Sequence, residues 1–174
     1  MHIKDYHDKP SFTPKGKSPF GIYLGVELEV EVDREISRDL KAGEVQAALG
    51  NFVITKHDSS IAHGFEICSS PASLDFHQTA WNALLNSDSA TEGLKGFGTK
   101  TCGIHVHVSR APLSSLQIGK MVVFIHNPEN RKFVHRIAQR ESNKYNNYVD
   151  GRKLTDATPK NCVKFQRHTA VNLL

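Results

Sequence analysis

The sequence predicts an α+β fold, and three observations predict it. Apolar and polar residues alternate with period two at 21–33 and 104–109, which marks strands with one buried face. Amphipathic helical patterns with breakers at their ends recur at 35–50, 72–86 and 112–127. The two kinds of segment mix without the regular rhythm of a doubly wound sheet. The 174 residues, 39% hydrophobic and 23% charged, are enough for one domain with a real core.

Residues 1–19 hold the breakers Pro10, Pro14, Gly16 and Pro19 and read as an irregular leader. The first strand spans 21–33. Ile36, Leu40, Val45 and Leu49 predict a helix over 35–50 that stops at Gly50. Asn51 to Ile54 reads as a second strand. Asp58-Ser59-Ser60 makes a turn, and Gly64 to Ser69 a third strand ended by Pro71. Leu74, Ala80, Trp81, Leu84 and Leu85 predict a helix over 72–86, and 87–100 reads as a loop of small residues. Ile104 to Ser109 is the fourth strand. Leu116, Met121, Val122 and Ile125 predict a helix from Pro112 to Asn127, broken by Asn127-Pro128 and continued from Phe133 to Arg140. Residues 142–162 are polar and loop-like, and 169–174 begin an apolar run.

Composition narrows the class. No apolar run approaches a transmembrane length. The stretch Met1 to His7 has no apolar h-region, so a cytoplasmic protein is expected. Cys68, Cys102 and Cys162 cannot all pair with one another, and free thiols in a reducing compartment are the default. There is no CxxC pattern for zinc. Charge is uneven: residues 131–174 carry ten Lys/Arg and three acids, net +7, against −3 for the rest. Late bases can serve nucleic acid, or an anionic substrate held over early carboxylates. For most of them a solvated helix face is the plain reading.

The early acids are concentrated. Glu27, Glu29 and Glu31 alternate with Val26, Leu28, Val30 and Val32, so one strand face is all carboxylate. Like charges about 7 Å apart on one face repel. A hard divalent cation is the simplest remedy, and a solvated edge the plain alternative. His105 and His107, at i and i+2 on a strand, face one side as a metal-ligand pair can, and Ser109 extends that face. Asp58 and Glu66 add two acids. A set dominated by carboxylates with one imidazole pair suits Mg²⁺ or Mn²⁺ better than zinc. Carboxylates around Mg²⁺ can hold a nucleotide triphosphate for phosphoryl transfer. No P-loop is present to hold phosphates through the backbone.

Gly25-Val26-Glu27-Leu28-Glu29-Val30-Glu31 comes first in the chain. Asp58-Ser59-Ser60 follows, with Gly64-Phe65-Glu66-Ile67-Cys68-Ser69-Ser70-Pro71. Cys102-Gly103-Ile104-His105-Val106-His107-Val108-Ser109 is third. In this order they resemble the motifs of the amidoligases, a family of the carboxylate–amine ligase superfamily that includes glutamine synthetase and glutamate–cysteine ligase. The resemblance runs from about residue 20 to the end. It implies a curved antiparallel sheet backed by helices, as in the glutamine synthetase catalytic domain. It implies an ATP-dependent reaction through an acyl phosphate, giving an amide or isopeptide bond. It implies Glu27, Glu29, Glu66 and His105 as metal ligands, with Glu31 a ligand or outer acid. Glu29, Glu31 and Ser109 would meet the Mg²⁺–ATP cofactor; Mn²⁺ could replace Mg²⁺. His107, Asp58 and Arg167 would serve catalysis, His107 and Arg167 near phosphate or acyl substrate. Lid loops are expected at 93–103 and 142–162. Many relatives occur in phages, which places the protein in the cytoplasm of a bacterial host if it is phage-encoded.

Family members continue into a further strand resembling Glu-Phe-Arg, which supplies a metal ligand and a phosphate arginine. Here the sequence stops at Leu174, so the domain at 20–174 is expected to lack that strand. The strand edge at Val171 and Leu173 is then a place for self-association. The expected partners are an amine and a small-molecule, peptide or protein carboxylate, with neither nucleic acid nor membrane among them. The alternatives are a catalytically inactive metal- or nucleotide-binding remnant of the fold, and a metal-dependent hydrolase or nuclease using the same cluster.

Overall fold

The structure, a computed structural model, describes residues 2–8, 10–138 and Tyr148. Arg167, Cys162 and the apolar run at 169–174 lie outside the described residues, as does all of 142–162 except Tyr148. The chain divides into two compact units, Met1–Pro112 and Leu113–Leu174.

The first unit holds a six-stranded sheet and three helices. In chain order these are β1 (Ile3–Lys4), β2 (Leu24–Val32), α1 (Arg38–Leu49), β3 (Val53–Lys56), β4 (Gly64–Ser69), α2 (Leu74–Leu85), α3 (Asp88–Thr91), β5 (Leu94–Lys95) and β6 (Ile104–Val108). The strands run β1-β3-β4-β2 across the sheet. On the far side of β2, β6 pairs with Leu24 to Leu28 and β5 with Glu31 and Val32. The architecture is mixed α+β, as the sequence predicts.

The sheet itself is mixed rather than antiparallel, because β1 runs parallel to β3. Residues 1–19 therefore contribute a strand where breakers alone suggested none. Long-range bonds hold the residue that leads into this strand. The Asp39 carboxylate on α1 accepts from His2 N at 2.6 Å, and the Thr55 hydroxyl on β3 donates to His2 O at 2.9 Å. The expected loop at 87–100 likewise contains α3 and β5. The second strand sits two residues later than expected, since Gly50–Phe52 forms a 3-10 turn first. Gly50 there has φ 59°, a left-handed conformation that favours glycine.

Side-chain alternation splits the sheet into two unlike faces. Ile3, Val30, Val32, Val53, Phe65 and Ile67 point to one side and are buried with Ala42, Val45 and Leu49 of α1 and Leu84 of α2. Phe76, Ala80 and Trp81 of α2 pack on the same core. Burying such apolar surface is the main force holding the unit together. The helices begin where their caps dictate: the Ser37 side chain accepts from Leu40 N, and the Ser73 side chain from Phe76 N. α1 and α2 cover the apolar face, and the carboxylates of β2 and β4 lie on the other.

The second unit holds α4 (Ser115–His126), a 3-10 turn at Pro128–Asn130, and α5 (Arg131–Ala138). A capping box between Ser114 and Gln117 starts α4, three residues after the Pro112 start expected. His126 ends the helix fully buried, with its ring edge-to-face on Tyr148 at 5.9 Å. Burial holds its pKa below the ordinary 6.5. The unfolded chain therefore takes up this proton at a higher pH than the folded chain. The stabilising contribution is complete above pH 6.5 and is lost as pH falls from there through the lowered folded value. Thermal melts should show a decline in stability across that window, and His126→Leu should flatten it. An equal decline in the variant would refute the assignment to His126.

Candidate metal centre

Strand register, rather than any single motif, assembles the site. On β2, Glu27 stands opposite Cys68 of β4 and His105 of β6, while Glu29 stands opposite Glu66 of β4. Cross-strand partners share a face, so Glu27, Glu29, Glu66, Cys68, His105 and His107 all lie on the side away from α1 and α2. Gly103, just before β6, extends the pairing: its carbonyl accepts from Glu29 N at 3.0 Å.

Glu27 is the hub. Its Oε2 lies 3.2 Å from His105 Nδ1 and its Oε1 3.2 Å from His107 Nε2, one imidazole to each carboxylate oxygen. The hydrogen bonds to His105 and then His107 hold the Glu27 carboxyl well below the usual carboxylate range. In return Glu27 raises the pKa of both histidines. Glu66 behaves in the opposite way. It is only 7% exposed, and burial first, then the Glu27 charge, push its carboxyl above the ordinary value. Glu29, at 8% exposed, faces it directly across the ladder. Burial, with the neighbouring Glu66, also pushes the Cys68 thiol up, so it is a poor thiolate.

Ligand atoms of Glu27, Glu66 and His105 all lie within 4.8 Å of one another. Two carboxylates and an imidazole at that separation can converge on one divalent cation. The donor set fits such an ion for a physical reason. Glu29 and Glu66 bring two buried acids into direct cross-strand register, a repulsive and poorly solvated arrangement that a cation relieves.

The remaining expected site residues are placed as follows. His107 contacts Glu27 and so orients the hub carboxylate. Glu31 accepts from the Thr101 hydroxyl at 2.7 Å, one step along β2 from the triad. Asp58 spends one carboxylate oxygen on Ser60 N at 2.6 Å, shaping its own turn, while its charge still reaches Glu66. The Ser109 hydroxyl donates to Tyr23 O and accepts from Tyr23 N, both at 2.9 Å, which pins the end of β6 to the chain entering β2. Arg167 lies outside the described residues. The sequence reading missed three lysines on this face. Lys56 is opposite Glu66, Lys4 is opposite Lys56, and Lys95 is opposite Glu31. Alternation of Val53 and Thr55, which are buried, with Ile54 and Lys56 was the available signal for Lys56. Lys95 is ion-paired with Asp33.

Comparison with protein-family models, with curated proteins and with solved structures gives no match. Among the described residues, no helix is long and apolar enough to cross a membrane.

Proposed function

We propose that this face is the cation-and-nucleotide site of an ATP-dependent carboxylate–amine ligase of amidoligase type, with a glutamine-synthetase-like sheet. The observation that carries the reading is the convergence of Glu27, Glu66 and His105 on one point of the sheet face opposite the helices. These three residues would hold Mg²⁺ or Mn²⁺, with Glu29 beside them. The cation would neutralise the phosphate charge that builds up during transfer. In the reaction, a substrate carboxylate oxygen bonds to the γ-phosphorus and the β–γ bridging bond breaks, releasing ADP. The amine nitrogen then bonds to the acyl carbon, phosphate leaves, and the amine gives up a proton. The chain's own contribution is to position the phosphates by charge and to present the acyl group along the β2–β6 ridge, where His107 stands.

The test is ADP release from Mg²⁺–ATP in the presence of pooled carboxylates and amines, with hydroxylamine as a trap for acyl phosphate. Release that depends on both pools, and a trapped hydroxamate, are expected. Glu66→Gln should abolish both and, by removing a buried like charge, raise the melting temperature of the metal-free protein. Release of ADP without any carboxylate requirement would overturn the ligase reading, and unchanged Mn²⁺ binding by Glu66→Gln would overturn the metal centre.

A further inference from the structure

We propose that Lys4 and Lys56 form a phosphate-binding subsite beside the carboxylate cluster, on the same face of the sheet. Register puts Lys4, Lys56, Glu66 and Glu29 in one continuous cross-strand row over β1, β3, β4 and β2. Strands lie about 5 Å apart, so Lys56 starts about 5 Å and Lys4 about 10 Å from Glu66, measured along the backbone. The row therefore runs from two lysines to two buried acids.

Two like charges directly opposite across a ladder are destabilising unless something of opposite sign joins them. Among the described residues, the ion pairs of Lys41 and Lys95 are with Glu44 and Asp33, and neither Lys4 nor Lys56 has one. Glu66 stands opposite Lys56 across the ladder without an ion pair between them, and the acids nearest in sequence are directed elsewhere. Asp5 accepts from His7 N at 2.9 Å and Asp58 from Ser60 N, each within its own turn. Lys4 is exposed and Lys56 half-buried. The Lys56 ammonium sits 5.4 Å from the centre of the Tyr6 ring, a contact that positions the charge and leaves its N–H donors able to reach a ligand. Lysine is a compact point charge with three donors, which suits phosphate oxygens.

The geometry points to a ligand whose phosphate rests on the lysines while another part reaches the Glu27, Glu66 and His105 cluster. A polyphosphate chain and a phosphorylated substrate share that chemistry. The inference goes beyond the ligase reading and does not require turnover.

The test is calorimetric titration of the full chain with inorganic pyrophosphate, Mg²⁺–ATP and phosphoserine, each with and without Mn²⁺. Lys56→Gln and Lys4→Gln should each weaken the ligand that uses the subsite by about tenfold or more, since each removes a charged hydrogen bond. Lys56→Arg should restore most of the affinity. Loss for pyrophosphate and ATP identifies a polyphosphate occupant, and loss for phosphoserine alone identifies a phosphorylated substrate. Binding that is lost in the lysine variants but indifferent to Mn²⁺ supports the subsite and refutes the metal centre. Mn²⁺-dependent binding, unchanged in lysine variants that melt as wild type does, overturns the subsite and leaves the metal centre standing. If none of the three ligands binds the wild type, the subsite is overturned as well.

Discussion

Glu27→Gln is expected to weaken Mn²⁺ binding by more than about a hundredfold while changing folding stability by less than about 1 kcal/mol. The two magnitudes have different origins. Among the described residues, Glu27 offers the only carboxylate in contact with both His105 and His107, at 3.2 Å from each. Loss of an outer-shell partner costs about 10–100-fold in metal affinity, so loss of a direct anionic ligand should cost more. The folding side is small because the contacts are wet. Glu27 is 35% exposed, and the two histidine side chains are 59% and 63% exposed. Solvent screens ion pairs of that kind to a fraction of a kcal/mol. Glutamine keeps the shape and can still hydrogen-bond one imidazole. Mn²⁺ titration and a thermal melt on the same sample check both halves. Retained affinity would remove Glu27 from the site, and a collapse in stability would make its role structural.

The elements that were legible in the sequence are those with several turns of pattern. β2 lies within an alternating segment and α1 and α2 within amphipathic ones, because burial of one face imposes the period. β4 is buried on both faces, and β6 and α4 form where expected although Ile104, Val106, Leu116 and Met121, read as their apolar positions, are exposed. The two-residue strands β1 and β5 were not legible. No period can be read from Ile3-Lys4 or Leu94-Lys95; partners distant in sequence hold them in the sheet. The same limit applied to the site. Residue types on β2, β4 and β6 could be assigned to faces one strand at a time. That Glu27 meets His105 and that Glu29 meets Glu66 depends on strand order and register, which pairing decides. Starting β3 at Asn51 rather than Val53 also hid Lys56, since a strand ending at Ile54 leaves that lysine off the face.

Gly64→Ala is expected to destabilise the protein by more than about 4 kcal/mol, the range reserved for severe steric or backbone disruption. An ordinary strand glycine would give the opposite sign, because alanine loses less chain entropy by about 0.5–1 kcal/mol. Gly64 is not ordinary. A Cβ there would stand 1.9 Å from Val30 O, 2.7 Å from Ile61 Cγ2 and 2.9 Å from Glu31 Cα. Two of those three atoms are backbone, so no rotamer change relieves the clash; β2 and β4 must separate. The separation falls one step from the Glu29–Glu66 pair and directly beside the Val32 N to His63 O bond of 2.7 Å. Metal affinity should therefore fall together with the unfolding midpoint, unlike in Glu27→Gln, where binding falls alone. Gly119→Ala serves as the contrast. That glycine lies inside α4 with nothing within 4 Å of a built Cβ, and the change should stabilise by about 0.5–1 kcal/mol. Chemical denaturation of both variants separates the explanations: if Gly64→Ala behaves like Gly119→Ala, the close approach of β4 to β2 at the edge of the cluster is wrong, and with it the register that sets Glu66 opposite Glu29.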